Sequence, residues 1–179
     1  KKFTRRPELF GCFQTGTSGY WFYGSQGLYS LRNGNLVDDS IINMPVKSLY
    51  INKIISDTKG NIWVATQGKG LLQCRYQGEK LVLQKQYNSH NGLPSDNALS
   101  VLADKNDNIW WGDYMSFSVL INPGADEQLI TYNEKDGLLS SYYQTLKLEQ
   151  QKNGTIWGLT SMGLVSFHPD SISRNDLPP

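Results

Sequence analysis

Short apolar runs separated by polar, turn-forming residues follow one another along this chain, about four to every 45 residues. In the second such stretch the runs lie at residues 48–51, 61–65, 70–75 and 80–84, and in the third at 97–103, 108–112, 117–121 and 128–132. Runs of this length bounded by Gly, Asn, Asp and Pro predict antiparallel meanders of four short strands. Helical periodicity is absent, so the sequence predicts an all-β protein.

A tryptophan marks each stretch at the same place. It recurs at positions 21, 63, 110 and 157, which is once every 42 to 47 residues. A four-stranded sheet repeated at this period is the blade of a β-propeller. We expect one propeller segment with four blades, part of a larger propeller, followed by an exit segment at 171–179. The blades are expected near residues 7–42, 46–88, 95–133 and 142–170.

The inner strands of propeller blades are buried on both faces, because each sheet packs against its neighbours. This explains why residues 61–65 and 109–112 are apolar without alternating. We therefore expect Trp21, Trp63, Trp110 and Trp157 to be packing anchors between blades rather than a ligand platform. Gly60 and Gly154, three residues before their Trp, are expected to supply a positive φ in a hairpin turn. Asp107 takes that place in the third repeat.

Charge and composition narrow the classes of partner. The net charge is +1 and 18% of residues are charged, which gives no broad field for nucleic acid or an anionic membrane. No apolar stretch approaches 18 residues, so direct membrane insertion of this segment is not expected, and no signal peptide is recognised at the start. Cys12 and Cys74 lie in strand-like runs and are interpreted as buried free thiols, with a disulfide between them left open.

Motifs that carry chemistry are missing from the sequence. His90 and His168 are the two histidines, and they lie in separate repeats without His-x-His or His-Glu-x-x-His spacing. His168 is interpreted as structural, at a strand exit. Asp104 and Asp107 fit turns in which the side chain bonds to nearby backbone. The sequence therefore predicts no catalytic residue, no cofactor and no metal.

Binding residues are expected on one rim of the propeller. In a meander, the turns between the second and third strands lie on the same rim as the links between blades, and rigid scaffolds carry recognition on such loops. This rim collects amides, hydroxyls and Tyr, which can hydrogen-bond and stack on sugars. The candidate ligand-binding residues are Gln67, Lys69, His90, Asn91, Asp113, Tyr114, Tyr142 and Tyr143. Trp111, outside the repeated position, is expected to pack between blades.

Characteristic phrases recur around these positions. They are Asp-Thr-Lys-Gly-Asn-Ile-Trp-Val-Ala-Thr at 57–66 followed by Gly-Leu at 70–71, His-Asn-Gly-Leu-Pro-Ser at 90–95, Lys-Asp-Gly-Leu-Leu-Ser at 135–140, Gly-Thr-Ile-Trp-Gly at 154–158, Gly-Leu-Val-Ser-Phe-His-Pro-Asp at 163–170 and Leu-Pro-Pro at 177–179. In these phrases the chain resembles the two-component regulator propeller repeat of the periplasmic sensor regions of hybrid two-component systems, mainly in Bacteroides-type gut bacteria. The last phrases resemble the final blade before that family's Tyr-rich, Ig-like domain.

The resemblance implies a non-catalytic sensor module in the periplasmic or extracellular portion of an inner-membrane histidine kinase, with an oligosaccharide as ligand. Complete propellers of this family have about seven blades, so the remaining blades or a second copy of the chain would cover exposed blade faces. A closed four-bladed ring, with the Phe3–Thr4 region pairing onto the last blade, stays open as an alternative. The family pattern is broken at Thr15, at Ser18 and over residues 111–117.

Two other functions stay open at this point. One is a structural or protein-interaction propeller without a small ligand. The other is an enzyme of the streptogramin lyase type, whose repeats also contain Gly-x-x-Trp. Such an enzyme needs a catalytic His and an acid on one rim, and His90 is the histidine available there.

Overall fold

Four β-sheets follow one another along the chain in the computed structural model. It describes residues 8–15, 19–39, 41–44, 49–78, 80–124, 126–138 and 145–172. Within these ranges the helical segments are three short 3-10 helices, Ser89–Asn91, Glu134–Asp136 and Pro169–Ser171. The all-β architecture of four consecutive propeller blades predicted from the sequence is confirmed. Tyr142, Tyr143 and the Phe3–Thr4 region lie outside the described residues.

The first two sheets are antiparallel meanders. The first contains β1 (Leu9–Thr15), β2 (Gly19–Gly24), β3 (Gly27–Arg32) and β4 (Asn35–Asp39). The second contains β6 (Tyr50–Ser56), β7 (Asn61–Gln67), β8 (Leu71–Gln77) and β9 (Lys80–Tyr87), and the two-residue β5 (Ile41–Ile42) pairs in parallel with β9. β6 runs beyond the end expected at residue 51, because a register shift between Ile51 and Lys53 interrupts the sequence alternation.

The third and fourth sheets repeat this arrangement, with one difference. The third contains β10 (Ser100–Ala103), β11 (Ile109–Gly112), β12 (Phe117–Ile121) and β13 (Gln128–Tyr132). The fourth contains β14 (Thr145–Gln150), β15 (Ile156–Thr160) and β16 (Gly163–Phe167), and its order has three strands within the described residues.

Three hydrophobic clusters lie between consecutive sheets, and each contains the repeated Trp of the earlier sheet. The clusters join Trp21 to Ile51 and Ile62, Trp63 to Val101 and Trp111, and Trp110 to Leu148 and Ile156. Removing about 200 Å² of a Trp side chain from water stabilises a fold by about 5 kcal/mol. These three tryptophans are therefore the packing anchors expected from their period, and Trp111, 1% exposed, packs as expected too.

A buried aspartate holds the anchor in the second and third sheets. The Asp57 carboxylate accepts hydrogen bonds from the backbone N–H and the amide of Asn61 and from Trp63 Nε1, at 2.7 to 2.9 Å. Asp104 accepts the same set from Asn108 and Trp110, at 2.9 to 3.0 Å. Asp57 and Asp104 therefore accept hydrogen bonds from nearby donors in their own sheet, as the sequence predicts for Asp104.

The fourth sheet has Gln151 where these aspartates stand. Its turn keeps the same backbone bonds, with Gln151 N donating to Thr155 O and Gly154 N to Gln151 O. The Gln151 side chain is exposed, and the buried Trp157 Nε1–H has no hydrogen-bond partner among the described residues. Trp157 is only partly buried, because it faces away from the third sheet.

The turns before Trp63, Trp110 and Trp157 each contain a residue in the left-handed conformation. Gly60 and Gly154 have φ of 79° and 92°, and Asp107 has φ of 60°. Asp107 accepts from Thr58 N at 3.1 Å and from the Thr58 hydroxyl. Asp at this left-handed position thus gains a bond to the preceding sheet that Gly could not make.

The two cysteines differ in exposure. Both thiols are free, with Cys74 buried and Cys12 exposed. The expectation that both are buried is wrong for Cys12, since its partner across the strand pair is Phe22, on the face of the first sheet away from the core. Burial raises the pKa of Cys74 to about 12. No helix in the described ranges has the length and apolar character to cross a membrane.

Candidate functional site

The expected rim forms where the second and third sheets meet. Gly68 N, in the β7–β8 turn, donates to Asn97 Oδ1 at 3.0 Å, and Gly70 N donates to Asp96 O at 2.6 Å. Gln67 Nε2 reaches Tyr114 Oη at 3.5 Å. The β7–β8 turn, the link between these sheets and the β11–β12 turn thus lie side by side and are joined by these hydrogen bonds.

A cleft of about 610 Å³ opens on this rim. Its walls come from the link that enters the third sheet, from the β11–β12 turn and from the link that leaves β13. The lining residues are Pro94, Ser95, Asp113, Tyr114, Met115, Ser116, Thr131, Asn133, Glu134 and Lys135. Its volume falls within the range of about 300 to 1,000 Å³ of small-molecule sites.

Asp113 shapes the wall of the cleft. Its carboxylate accepts from Met115 N at 2.7 Å, Ser116 N at 2.6 Å and Ser116 Oγ at 2.9 Å. The side chain is 4% exposed, and burial raises its pKa despite these bonds. Asp113 therefore holds the β11–β12 turn, and its neighbour Tyr114 lines the cleft.

The opposite wall is an asparagine-capped 3-10 helix. Asn133 Oδ1 accepts from Lys135 N at 2.9 Å, and Asp136 Oδ2 accepts from Asn133 N at 2.9 Å. Gly137 then ends the turn with φ of 90°. This reciprocal cap fixes the backbone of Glu134 and Lys135 and leaves an ammonium and a carboxylate at the cleft.

The other rim candidates lie outside this cleft. Asn91 completes the reciprocal cap of the first 3-10 helix, since its Oδ1 accepts from the N–H of the N-cap residue Asn88 at 2.7 Å and its Nδ2 donates to Gln86 O at 2.6 Å. His90 is exposed on that helix. Gln67 is exposed and Lys69 partly buried on the adjacent turn. The structure brings together Asp113 and Tyr114, with Gln67 at the edge.

The far wall of the cleft, formed by residues 133–135, was not predicted from the sequence. Lys135 occupies, after the third sheet, the place that His90 occupies after the second, since both follow an Asn cap and precede a left-handed Gly. The strand parity that selected His90 applies equally to residues 133–135. The similarity of the phrases at 90–95 and 135–140 was the signal that could have identified them.

His168 has a structural role, as expected. Its Nδ1 accepts from Asp170 N at 3.3 Å and its Nε2 lies 3.2 Å from Asn153 O. It therefore begins the last 3-10 helix and ties it to the turn before Trp157. Within the described ranges, no cluster of three or more His, Cys, Asp and Glu side chains could hold a metal ion.

Comparison with known proteins finds the same fold in extracellular domains of bacterial signalling proteins. No family model matches the chain. Histidine kinase P4 of Formosa agariphila is 32% identical over 105 residues, which are 58% of this chain and 7% of the kinase. The extracellular domain of a one-component system of B. thetaiotaomicron superposes with a TM-score of 0.67 at 16% identity, over 88% of this chain and 21% of that one. The extracellular domain of a hybrid two-component system of the same species gives 0.62 at 17% identity, over 94% and 28%.

These likenesses confirm the resemblance drawn from the sequence. The extracellular domains of a one-component system and of a hybrid two-component system have the same fold, and a histidine kinase shares recognisable sequence over 105 residues. The chain spans less than a third of each of these proteins. At such identities the structural likeness concerns the fold alone.

A streptogramin B lyase also shares the fold. Its TM-score is 0.54 at 16% identity, over 92% of this chain and 56% of the lyase. The propeller architecture therefore does not separate sensor from enzyme, and the function has to be argued from the cleft.

Proposed function

We propose that this chain is a non-catalytic sensor module in the extracellular or periplasmic portion of a hybrid two-component signalling protein. Its ligand is a carbohydrate, and its binding site is the rim cleft between Tyr114 and Lys135. The kinase chemistry belongs to other parts of the parent protein. The likeness in fold to extracellular domains of two-component systems supports the sensor role.

The lining of the cleft is the observation that carries the proposal. Tyr114 supplies an aromatic ring, Glu134 and Lys135 supply a carboxylate and an ammonium, and Asn133 supplies an amide. Sugars present hydroxyl groups and apolar ring faces together, so they need this mixture of hydrogen-bonding groups and aromatic surface.

The position of the cleft suits signal transmission. Pro94 and Ser95 precede the third sheet, whereas Glu134 and Lys135 lie in the segment that leads to the fourth. A ligand bound here contacts both links and therefore senses the angle between consecutive sheets. Binding shifts that angle only if the ligand has different affinity for the two arrangements.

Calorimetric titration with a panel of oligosaccharides tests this function. We expect at least one to bind, and Tyr114→Ala to weaken it about tenfold, since a stacked ring contributes about 1.4 kcal/mol. Tyr20→Ala is the matched control, because Tyr20 is 50% exposed on the first sheet. If the folded protein binds no glycan, direct carbohydrate sensing is wrong.

The lyase alternative is tested separately. The fold likeness to the streptogramin B lyase favours assaying turnover of a streptogramin, with His90→Ala as the variant that should abolish it. We expect no turnover by the unmodified chain. Turnover lost in His90→Ala would replace the sensor proposal with an enzymatic one.

A structural or protein-interaction role is favoured by the outer blade faces. Tyr20 and Leu31 on the first sheet, and Leu159 and Leu164 on the fourth, are 44 to 65% exposed. We propose that remaining blades or a second copy of the chain cover them, because exposed apolar sheet faces favour association. The molecular mass in solution tests whether a second copy covers these faces. A strictly monomeric mass would leave the remaining blades as the proposed cover.

A further inference from the structure

Asparagine followed by glycine occurs three times in this chain, at 33–34, 91–92 and 153–154. This pair is chemically labile in water. The backbone nitrogen of the glycine attacks Cγ of the asparagine side chain, and glycine permits the close approach because it has no Cβ atom. Since glycine follows in all three cases, differences in reactivity depend on how the structure holds the two reacting groups.

The reaction has two steps. In the first, a bond forms between the glycine nitrogen and Cγ, the bond from Cγ to Nδ2 breaks, and ammonia leaves with the proton that the glycine nitrogen loses. The product is a five-membered imide ring. In the second step one water molecule adds and opens either C–N bond of the ring, which gives aspartate or isoaspartate. The conversion adds one negative charge at neutral pH.

The side chain of Asn91 is held at both of its polar atoms. Its Oδ1 accepts from Asn88 N at 2.7 Å, and its Nδ2 donates to Gln86 O at 2.6 Å. Rotation of Cγ toward Gly92 N breaks both bonds, and with them the reciprocal cap of the first 3-10 helix. The imide ring therefore closes only after local opening of this link.

At the pair 153–154 the attacking nitrogen itself is engaged. Gly154 N donates to Gln151 O at 2.9 Å, and Asn153 Oδ1 accepts from Thr155 N at 3.0 Å. A Cβ atom at Gly154 would lie 2.8 Å from His168 Nε2, so this turn packs against the residue that caps the last 3-10 helix. Both reacting groups must leave their partners before the ring can close.

The pair 33–34 lies in a hairpin turn instead. Asn33 and Gly34 are the two residues between β3 and β4, and their φ values of 50° and 76° are those of a type I′ turn. The last ladder pair is Arg32 with Asn35, so Gly34 N lies beyond the ladder. Both turn residues are exposed. A Cβ atom at Gly34 would have no heavy atom of the described residues within 4 Å.

A hydrogen bond at this turn acts on the reacting peptide group. Asn35 Nδ2 donates to Asn33 O at 3.1 Å. That oxygen belongs to the same peptide group as Gly34 N. A donor on the oxygen withdraws electron density from the group, which favours loss of the N–H proton and thereby the attack on Cγ.

We propose that Asn33 is a site of non-enzymatic deamidation in the folded chain, and that the structure protects the same dipeptide at 91–92 and 153–154. The product alters the first sheet. Aspartate at position 33 keeps the turn, because Asp tolerates the left-handed conformation. Isoaspartate adds one atom to the backbone of a two-residue turn, so β4 loses its register with β3. This site is independent of the carbohydrate cleft.

Peptide mapping by mass spectrometry tests the proposal on the full chain, kept folded in mildly alkaline buffer for several weeks. The same chain in concentrated guanidinium chloride is the reference, because unfolding removes the hydrogen bonds of all three pairs. In the denaturant we expect similar conversion rates at the three sites. In the folded chain Asn33 should convert at least about tenfold faster than Asn91 and Asn153, since two hydrogen bonds must open first at each of these.

The variant Asn33→Asp is the matched control. It starts with the charge of the product, so the acidic form that accumulates in the unaltered chain should not accumulate in this variant, as isoelectric focusing measures. Hydrogen exchange of the β4 amides should be faster in the isoaspartate form than in Asn33→Asp, because the isoaspartate lengthens the backbone.

Equal conversion of the three pairs in the folded chain would overturn the proposal, as would faster conversion of Asn91 or Asn153 than of Asn33. A folded chain that retains Asn33 while the denatured chain loses it would also overturn it, because the turn would then protect the pair. Equal exchange of β4 in the isoaspartate form and in Asn33→Asp would refute the loss of register.

Discussion

The third and fourth sheets differ in how the turn before the repeated Trp satisfies the indole N–H of that residue. Both have a tight turn before the repeated Trp, and both turns have the same pair of backbone hydrogen bonds. In the third sheet Asp104 gathers four donors, including the Trp110 indole. In the fourth, the Gln151 side chain is exposed and the Trp157 indole N–H lacks a hydrogen-bond partner within the part of the chain that the structure describes. The backbone turn therefore does not depend on the aspartate, whereas satisfaction of the indole does.

Truncating the anchors should give the largest contrast between the two sheets. Trp110→Ala should cost about 4 kcal/mol of unfolding free energy, because it opens a cavity between the third and fourth sheets. Trp157→Ala should cost about 1 kcal/mol, since a following sheet does not cover it among the described residues. Urea unfolding followed by circular dichroism measures both. Equal losses would show that the two positions are equally buried in solution.

Removing the acceptor should give the next largest effect. Asp104→Ala removes the acceptor of the buried Trp110 indole and of the partly buried Asn108 amide, and should cost about 3 kcal/mol. Gln151→Ala removes an exposed side chain and should change stability by less than about 0.5 kcal/mol. The same unfolding experiment compares them. A large loss of stability in Gln151→Ala would contradict the conclusion that Gln151 does not accept a hydrogen bond from the Trp157 indole.

Restoring the acceptor should have the opposite sign. Gln151→Asp places a carboxylate where Asp104 stands on an equivalent turn, so it should bond the Trp157 indole and add about 1 kcal/mol. Gln151→Glu is the matched control, because its longer side chain carries the same charge without the geometry. Stabilisation by both variants alike would point to charge rather than to the hydrogen bond.

The bond from Asp107 to the second sheet should give the smallest effect. The Thr58 hydroxyl and backbone N–H lower the pKa of Asp107, so the ionised carboxylate favours the folded state. This contribution is present above the ordinary Asp pKa of about 3.9 and is lost as pH falls through the lower folded value. Thr58→Ala should therefore raise the pKa and weaken stability at pH 7 more than at pH 2.

Measurement of the Asp107 titration by NMR checks this prediction directly. Ser56→Ala serves as control, since Ser56 is an exposed hydroxyl at the end of β6 in the same sheet. An unchanged Asp107 pKa in Thr58→Ala would mean that the bond between the two sheets does not form in solution.

More of the fold than of the candidate site could be predicted from the sequence. The Trp period and the turn residues located the third sheet's inner strands closely, because Gly, Asn and Asp act locally. The far wall of the cleft was missed, because which of two similar links faces the β11–β12 turn depends on how the sheets pack. The orientation of Asp113 toward its own turn, and of Cys12 toward solvent, depends on that packing as well. Strand alternation distinguishes two faces, but it does not tell which face a neighbouring sheet covers.

The repeated links also bear on how such a chain changes in evolution. Two links have the same local structure, residues 88–92 and residues 133–137. Each ends in a glycine in the left-handed conformation, and each is capped by an equivalent pair of reciprocal hydrogen bonds. A duplication or deletion with both breakpoints at these links inserts or removes one complete sheet while each junction keeps its cap. The number of sheets can therefore change by whole modules, while the β11–β12 turn diversifies independently.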